Sequence, residues 1–232
     1  TQADYLLWRL EQFVDKRDLV PARILDVGCG SGALTEEIAE NYGTARLVGI
    51  DRSAAQIQKA KRDHDHPQVS YEIADIVEYA PEKQFDIVLS NSTMHWIQEQ
   101  DRAYANIFSR LNAGGILAVH QGGKGCYAEL HEAAQRAYEE LGLEEYFRDF
   151  QFPLVYYKKE EMVRLLENHG FEPLKIDVME SEQTDTLVDD FAEASLLSYK
   201  KRLSSEAERQ AFVQQYKEYA REYDQIDTTR IY

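Results

Sequence analysis

Short apolar runs alternate with amphipathic stretches over residues 23–122. Five runs have the length and composition of buried strands, at residues 24–27, 46–50, 69–73, 85–90 and 115–120. Between the first two, Leu34, Ile38 and Tyr42 recur at helical spacing. This alternation is typical of βαβ units, whose right-handed crossovers place helices on both faces of a parallel sheet. We therefore predict a doubly wound α/β fold.

The pattern changes after Gly122. We predict a helix over 130–141, an aromatic-rich stretch over 144–157, a helix over 159–169, a strand over 171–179 and two helices between 187 and 223. The last helix has an aromatic stripe, which we expect to pack onto the domain: Phe212, Tyr216, Tyr219 and Tyr223. The chain therefore reads as one core domain with a helical elaboration.

Composition and charge narrow the function classes. A formal net charge of -16 repels a phosphate backbone, so we predict no nucleic-acid partner. No apolar run approaches the roughly 20 residues that span a bilayer, and the first residues lack a signal pattern, so we predict no membrane partner. Two cysteines, Cys29 and Cys126, form no disulfide framework, which favours a reduced, cytoplasmic setting. The sequence leaves the oligomeric state open.

A glycine-rich turn, "VGCGSG", separates the first strand from the first helix. Such a turn presents backbone N–H groups and the positive end of a helix to a ligand. Gly28, Gly30 and Gly32 would let that ligand approach the backbone closely. The spacing suits a dinucleotide as well as S-adenosylmethionine, so the turn alone does not choose between them.

Three aspartates stand at successive strand ends, on the sheet edge where such folds bind ligands. Asp26 would face a pyrophosphate unfavourably but suits a cationic amino group. Asp51 can accept hydrogen bonds from ribose hydroxyls, and Asp75 can accept one from an adenine amino group while Ile76 packs on the ring. Each aspartate alone equally fits a helix N-cap or a turn. Together they indicate an adenosine-containing ligand.

Four stretches, "ILDVGCGSG", "VGIDRS", "YEIADI" and "FDIVLSNSTMHWI", resemble the ordered motifs of class I S-adenosylmethionine-dependent methyltransferases. The resemblance implies S-adenosylmethionine as the cofactor and adds Arg52 and Asn91 to the cofactor-binding set. It also implies a Rossmann-like, mostly parallel seven-stranded sheet whose last strand is antiparallel, with helical insertions forming a lid. The sixth strand would be 171–179, and the seventh would begin at 229–232.

The stretch "SNSTMHWI" is similar to small-molecule methyltransferases grouped with malonyl-carrier-protein, trans-aconitate and juvenile hormone acid methyltransferases. This narrower likeness implies O-methylation of a carboxylate on a small molecule, a carrier-bound acid included. Alternatives are methyl transfer to nitrogen or carbon, a nicotinamide-dependent oxidoreductase, and a non-catalytic S-adenosylmethionine-binding partner subunit.

Histidines are the candidates for acid–base chemistry. His95 can act as a base for a hydroxyl or as a donor to a carboxylate; alternatively, His95 and Trp96 wall the methionine end of the cofactor without chemistry. His120, at the end of the fifth strand, is a second candidate. His64 and His66 lie in a polar turn with no further ligands, so we predict no metal site.

We expect five segments along the chain. Residues 1–20 form an N-terminal helical lid, 21–124 the cofactor-binding core, 125–158 a helical and aromatic insertion, and 159–180 the end of the core. Residues 181–232 form a substrate-side insertion and start the last strand. Aromatic side chains either line a substrate pocket or cover the core of the insertion: Tyr146, Phe147, Phe150, Phe152, Tyr156 and Tyr157. Cations are available for an acidic substrate at Arg148, Lys158, Lys159, Lys200 and Arg202.

Overall fold

The computed structural model describes residues 2–15, 22–42, 46–179, 182–183, 185–223 and 225–232. The chain divides into two compact units. The first unit comprises Thr1–Gln121, Tyr157–Asp177 and Ile231–Tyr232, and the second comprises Gly122–Tyr156 and Val178–Arg230.

The described helices and strands are numbered in chain order. The helices are α1 (Gln2–Leu10), α2 (Ala33–Tyr42), α3 (Ala54–Asp63), α4 (Gln100–Arg110), α5 (Ala128–Glu140), α6 (Lys159–Asn168), α7 (Asp185–Ala194), α8 (Leu197–Lys200) and α9 (Glu206–Ala220). The strands are β1 (Arg23–Val27), β2 (Arg46–Asp51), β3 (Val69–Ile73), β4 (Phe85–Asn91), β5 (Leu111–Gly122), β6 (Val178–Met179), β7 (Glu182–Gln183), β8 (Ile226–Asp227) and β9 (Arg230–Ile231). Short 3-10 turns cover Met94–Trp96 and Glu144–Phe147.

Seven strands form one sheet in the order β3-β2-β1-β4-β5-β9-β6. The pairs β3 with β2, β2 with β1, β1 with β4 and β4 with β5 are all parallel. At the far edge, Asp177 and Tyr232 exchange both backbone hydrogen bonds at 3.0 Å, the pattern of an antiparallel pair. The predicted α/β fold with a mostly parallel seven-stranded sheet is therefore confirmed.

Two predicted elements differ from the observed ones. The strand expected over 171–179 is wrong in extent, because only Val178–Met179 is a strand. Pro173 has no N–H to give to a sheet ladder and restricts Glu172 before it, which explains why the strand does not begin earlier. The region 187–223 holds most of α7 and all of α8 and α9 rather than two helices.

The core of the first unit lies on both faces of its sheet. Neighbouring residues of a strand point to opposite faces, so Ile24 and Leu25 of β1 enter different clusters. Leu7 and Leu10 of α1 pack in the cluster of Ile24, so the helix expected to act as a lid contributes to this core. Its lid function stays a prediction.

The second unit has an aromatic core of its own. The Tyr138 and Phe147 rings stack with centroids 4.4 Å apart, and Phe212 and Tyr216 are fully buried in the same cluster. Four aromatics of the 144–157 stretch pack within this cluster and so cover the unit's own core: Tyr146, Phe147, Phe150 and Phe152. The predicted aromatic stripe over 212–223 packs in the same cluster.

His131 of α5 was not singled out by the sequence patterns. Its ring centroid lies 4.2 Å from that of Phe152 and 5.2 Å from that of Phe191, and burial lowers its pKa to about 4. His131 is therefore neutral at neutral pH and behaves as a member of the aromatic core.

Among the described residues, no helix is long and apolar enough to cross a bilayer.

An interior strand of the sheet, β1, supports a test of this core. Ile24 is 0% exposed and Ile73, in the edge strand β3, is 60% exposed. We expect Ile24→Ala to lower the free energy of unfolding by about 2–5 kcal/mol, because it leaves a cavity in a packed core. The same change at Ile73 should cost less than about 1 kcal/mol. Urea denaturation of both variants measures the difference, and equal losses would contradict the placement of β1 at the centre of the core.

Candidate functional site

A cavity of about 620 Å³ opens in the first unit at the carboxyl ends of β1, β2 and β4. Its position is the one at which open parallel sheets bind ligands. The walls come from strand ends and the turns that follow them: Val27, Gly28, Gly30, Ile50, Asp51, Arg52, Ser53, Ala74, Asp75, Ile76, Asn91, Ser92, Thr93, Trp96 and Ile97. Seven of the nine predicted cofactor-binding residues are among them.

All three glycines of the turn have positive φ, at 74° for Gly28, 55° for Gly30 and 91° for Gly32. The surroundings of a side chain would differ at the three positions. A Cβ on Gly28 would lie 2.2 Å from the side chain of Thr93, so this glycine allows the turn after β4 to approach. A Cβ on Gly30 would meet no atom within 4 Å, so this glycine faces the open cavity. A Cβ on Gly32 would lie 2.7 Å from the Tyr71 hydroxyl.

Asp51, at the end of β2, connects the glycine turn to the start of α3. Its Oδ2 accepts a hydrogen bond from the Gly30 N–H at 3.1 Å, and its Oδ1 accepts one from the Ser53 N–H at 2.8 Å. A carboxylate has about four acceptor positions. Asp51 therefore keeps acceptor capacity for hydroxyl groups of a ligand in the cavity.

Asp75 follows β3 and lies both in a local turn and in the cavity wall. Its Oδ1 accepts from the Val77 N–H at 2.9 Å, which stabilises the local turn, while the residue also lines the cavity. Its Oδ2 lies 3.5 Å from Arg52 Nη1, and the Arg52 side chain is 69% exposed. An ion pair this exposed adds little stability. Ile76, only 3% exposed, supplies apolar surface beside it.

The turn Asn91–Ser92–Thr93 follows β4 and forms another wall. Thr93 Oγ1 lies 3.2 Å from the Gly28 carbonyl oxygen and 3.2 Å from the Asn91 carbonyl oxygen, and both oxygens are acceptors for its single hydroxyl hydrogen. Asn91 Oδ1 lies 2.7 Å from Nδ1 of His120, a residue of β5 that is fully buried. This wall is thus connected to the glycine turn on one side and to β5 on the other.

Three predicted site residues do not line the cavity: Asp26, Gly32 and His95. Asp26 is 2% exposed, and its carboxylate accepts from Thr35 Oγ1 at 2.7 Å. His95 is half-buried, and its ring centroid lies 6.0 Å from that of Trp96, which does form a wall. Their roles toward a ligand, like those of the other seven residues, stay predictions.

Sequence reasoning did not assign binding roles to Ser92, Thr93 and Ile97, which also line the cavity. Ser92 and Thr93 lie inside the quoted "SNSTMHWI" stretch, so the motif located them. The contact of Thr93 with Gly28 is tertiary, and no local pattern indicates it.

Cys29 lies between two of the glycines but is not a reactive thiol. It is buried, and burial raises the pKa of its thiol well above the usual range. The thiolate needed for nucleophilic attack is therefore scarce at neutral pH.

The chemistry of these walls fits S-adenosylmethionine. Ile76, Ile97 and Trp96 would offer apolar surface to an adenine ring, while Asp51 and Asp75 would accept hydrogen bonds from hydroxyl and amino groups. The open space at Gly30 leaves room for a ligand against the backbone.

The binding assignment makes a direct prediction. We expect Gly30→Val to abolish binding of S-adenosylhomocysteine, because the side chain enters the cavity and the positive φ strains a branched residue. Asp51→Ala should weaken binding by about 1–3 kcal/mol through lost charge-assisted hydrogen bonds. Titration calorimetry measures both, with Asp65→Ala, an exposed loop carboxylate, as the matched control. Unchanged affinity in the first two variants would refute the location of the site.

Asp26 makes a prediction about stability. Burial raises its pKa from 3.8 to about 6, so between these values the folded state holds a proton that the unfolded state has released. The free energy of unfolding therefore falls as pH rises from about 4 to 6, by about 3 kcal/mol at the conversion of 1.36 kcal/mol per pKa unit.

The variant Asp26→Asn should lack this contribution. Urea denaturation of both proteins at pH 4 and pH 7 gives the comparison. We expect the free energy of unfolding of the variant, taken relative to that of the original chain, to be higher at pH 7 than at pH 4. An unchanged difference would show that the Asp26 carboxyl titrates normally.

Comparisons with known proteins agree with this geometry. A family model described as a methyltransferase domain matches residues 24–115. A malonyl-[acyl-carrier protein] O-methyltransferase of Ilyobacter polytropus is 34% identical over 51% of this chain and 44% of its own length. A trans-aconitate 2-methyltransferase of Variovorax paradoxus is 35% identical over 42% of this chain and 38% of its own length. In both cases the matched part spans less than half of the relative's own length.

A solved structure shows the same fold. Phosphoethanolamine N-methyltransferase 2 of Haemonchus contortus, in complex with S-adenosyl-L-methionine, superimposes with a TM-score of 0.61 and 21% identity. The superposition covers 98% of this chain and 51% of the other.

The match to residues 24–115 includes the glycine turn and the ends of β2, β3 and β4, from which most of the cavity walls come. It favours a methyltransferase over the nicotinamide-dependent oxidoreductase that the glycine spacing left open. Residues 24–115 of this chain therefore match a methyltransferase domain, and the walls of the cavity suit S-adenosylmethionine.

Proposed function

We propose that this enzyme transfers a methyl group from S-adenosylmethionine to a carboxylate oxygen of a small molecule, either free or attached to a carrier. The observation that carries the proposal is the pair of curated relatives, which are named for malonyl-carrier-protein and trans-aconitate methylation. Both substrates are organic acids, although the two molecules differ in size and attachment. The shared feature is the carboxylate.

The cofactor supplies a sulfonium-bound methyl group that is already electrophilic. A lone pair of the carboxylate oxygen forms the new C–O bond while the C–S bond breaks. The electron pair of the broken C–S bond stays on sulfur. A carboxylate is ionised near neutral pH and has no proton to lose. The chain then needs only to hold the reactants in line and to exclude water.

The walls of the cavity suit a reaction without a general base. Among the described residues that line it there is no histidine, and its two aspartates are held by backbone N–H groups of Gly30, Ser53 and Val77. Their part is to bind and orient. A hydroxyl or amine acceptor would require a proton acceptor, and His95 is the first residue to test in that case.

The acceptor itself, the cytoplasmic location and the lack of nucleic-acid and membrane partners stay predictions. A carrier-bound acid agrees with the relatives named for malonyl-carrier-protein.

The test uses a cofactor with an isotopically labelled methyl group. The protein is incubated with trans-aconitate, with malonyl-carrier protein, and with hydroxyl and amine compounds of similar size. We expect label to enter the acids and to be released as methanol by mild alkali, because methyl esters hydrolyse and methyl ethers or amines do not. The Gly30→Val variant is the control for background. Alkali-stable product from a hydroxyl or amine acceptor alone would refute the proposal.

A further inference from the structure

We propose that His120 is a positioning residue for cofactor binding, which acts by orienting the Asn91 amide and the turn Asn91–Ser92–Thr93. This inference rests on the cofactor assignment and not on the identity of the methyl acceptor. His120 is 0% exposed and does not line the cavity, whereas all three residues of the turn do. His120 therefore acts through them.

The contact with Asn91 defines the hydrogen on the imidazole. His120 Nδ1 lies 2.7 Å from Asn91 Oδ1, and an amide oxygen can only accept. Nδ1 therefore bears the hydrogen and donates it. With its oxygen held toward β5, Asn91 keeps its amide NH₂ donor group for an acceptor on a ligand in the cavity it lines.

Ser92 shows why this turn needs support. It has a φ of 57°, in the left-handed region that non-glycine residues seldom adopt. Such strain persists where surrounding contacts hold it, and it concentrates at binding sites. Two contacts come from His120: the Ser92 N–H donates to the His120 carbonyl oxygen at 2.8 Å, and Ser92 Oγ lies 3.1 Å from His120 Nδ1.

A second contact restrains the orientation of the imidazole ring. The ring of Tyr232 stacks on His120 with centroids 4.5 Å apart and an interplanar angle of 21°. Tyr232 in turn meets the edge of Tyr5 of α1 at 4.5 Å. The imidazole thus has little freedom to turn away from Asn91.

The effect of His120 extends to the glycine turn. Thr93, two residues after Asn91, donates to the Gly28 carbonyl and fills the space that a Cβ at Gly28 would need. A change in the turn after β4 therefore moves a side chain that contacts the cofactor-binding loop directly. Loss of the His120 donor should weaken cofactor binding without touching the cofactor.

Two amide substitutions separate positioning from packing. In His120→Asn the amide nitrogen branches from Cγ, as Nδ1 does, and can still donate to Asn91. In His120→Gln the amide lies one carbon farther out, near the position of Nε2, and that donor is lost. The two variants have similar polarity, so a merely structural role would not favour the Asn variant.

The measurement is titration calorimetry of each purified variant with S-adenosylhomocysteine, with thermal melting to establish that the variant is folded. We expect His120→Gln to bind about tenfold more weakly, the effect of one lost hydrogen bond, and His120→Asn to bind within about threefold of the original chain. His169→Leu is the control, because this histidine of the same unit pairs with Asp101 and lies outside the cavity walls.

A double substitution tests the route through Asn91. Asn91→Leu should weaken binding, and adding His120→Gln should cost no further affinity if His120 acts through the Asn91 amide. Additive losses would refute that route. Equal affinity of the original chain and His120→Gln, or equal weakening in the Asn and Gln variants, would refute the positioning role. Failure of the original chain to bind S-adenosylhomocysteine would instead refute the cofactor assignment, and the inference with it.

Discussion

The close contact between the turns after β1 and β4 shapes the cavity at the carboxyl edge of the sheet. No side chain fits at Gly28, because Thr93 occupies the position of a Cβ and its hydroxyl donates to the Gly28 carbonyl. This contact connects the glycine turn to the fourth strand across the sheet. Asp51 holds the same turn from the other side through the Gly30 N–H. The two contacts together fix the backbone against which a ligand is placed.

Conformational strain and buried charge concentrate around this cavity. Ser92 has a left-handed backbone, and Asp26 is buried beneath the glycine turn with a raised pKa. Each is unfavourable to folding by itself. Ile24 and Leu25 are fully buried on the two faces of β1. Their apolar packing offsets the unfavourable free energies of the strained Ser92 backbone and of the buried Asp26 carboxyl.

The parallel core could be predicted from the sequence, because its strands are continuous apolar runs separated by helical patterns. The cavity could be located for a related reason: Gly30, Asp51 and Asp75 follow such runs within three residues, and parallel strands bring their carboxyl ends to one edge. The extent of the sixth strand could not be predicted, because Pro173 interrupts a run that otherwise has the pattern of a strand. That Asp26 and Gly32 lie outside the cavity walls could not be predicted either. Asp26 accepts a hydrogen bond from Thr35, and Gly32 lies against Tyr71, contacts that no local pattern specifies.

The aromatic stretch over 144–157 illustrates the same limit. Its rings have the composition of a substrate pocket, yet Phe147 stacks on Tyr138 of α5 and belongs to the core of the second unit. Periodicity identifies which side chains are apolar, but it does not identify the surface that they cover. That choice depends on contacts across tens of residues.

The position of Trp96 gives the molecule an optical property. The chain has two tryptophans, and Trp96 is 40% exposed at the cavity wall, while Trp8 is 49% exposed on α1. Indole emission depends on the polarity around the ring, so displacement of water from the cavity changes the fluorescence of Trp96. Replacing Trp8 by phenylalanine would leave one tryptophan, and its emission would then report occupancy of the cavity in real time.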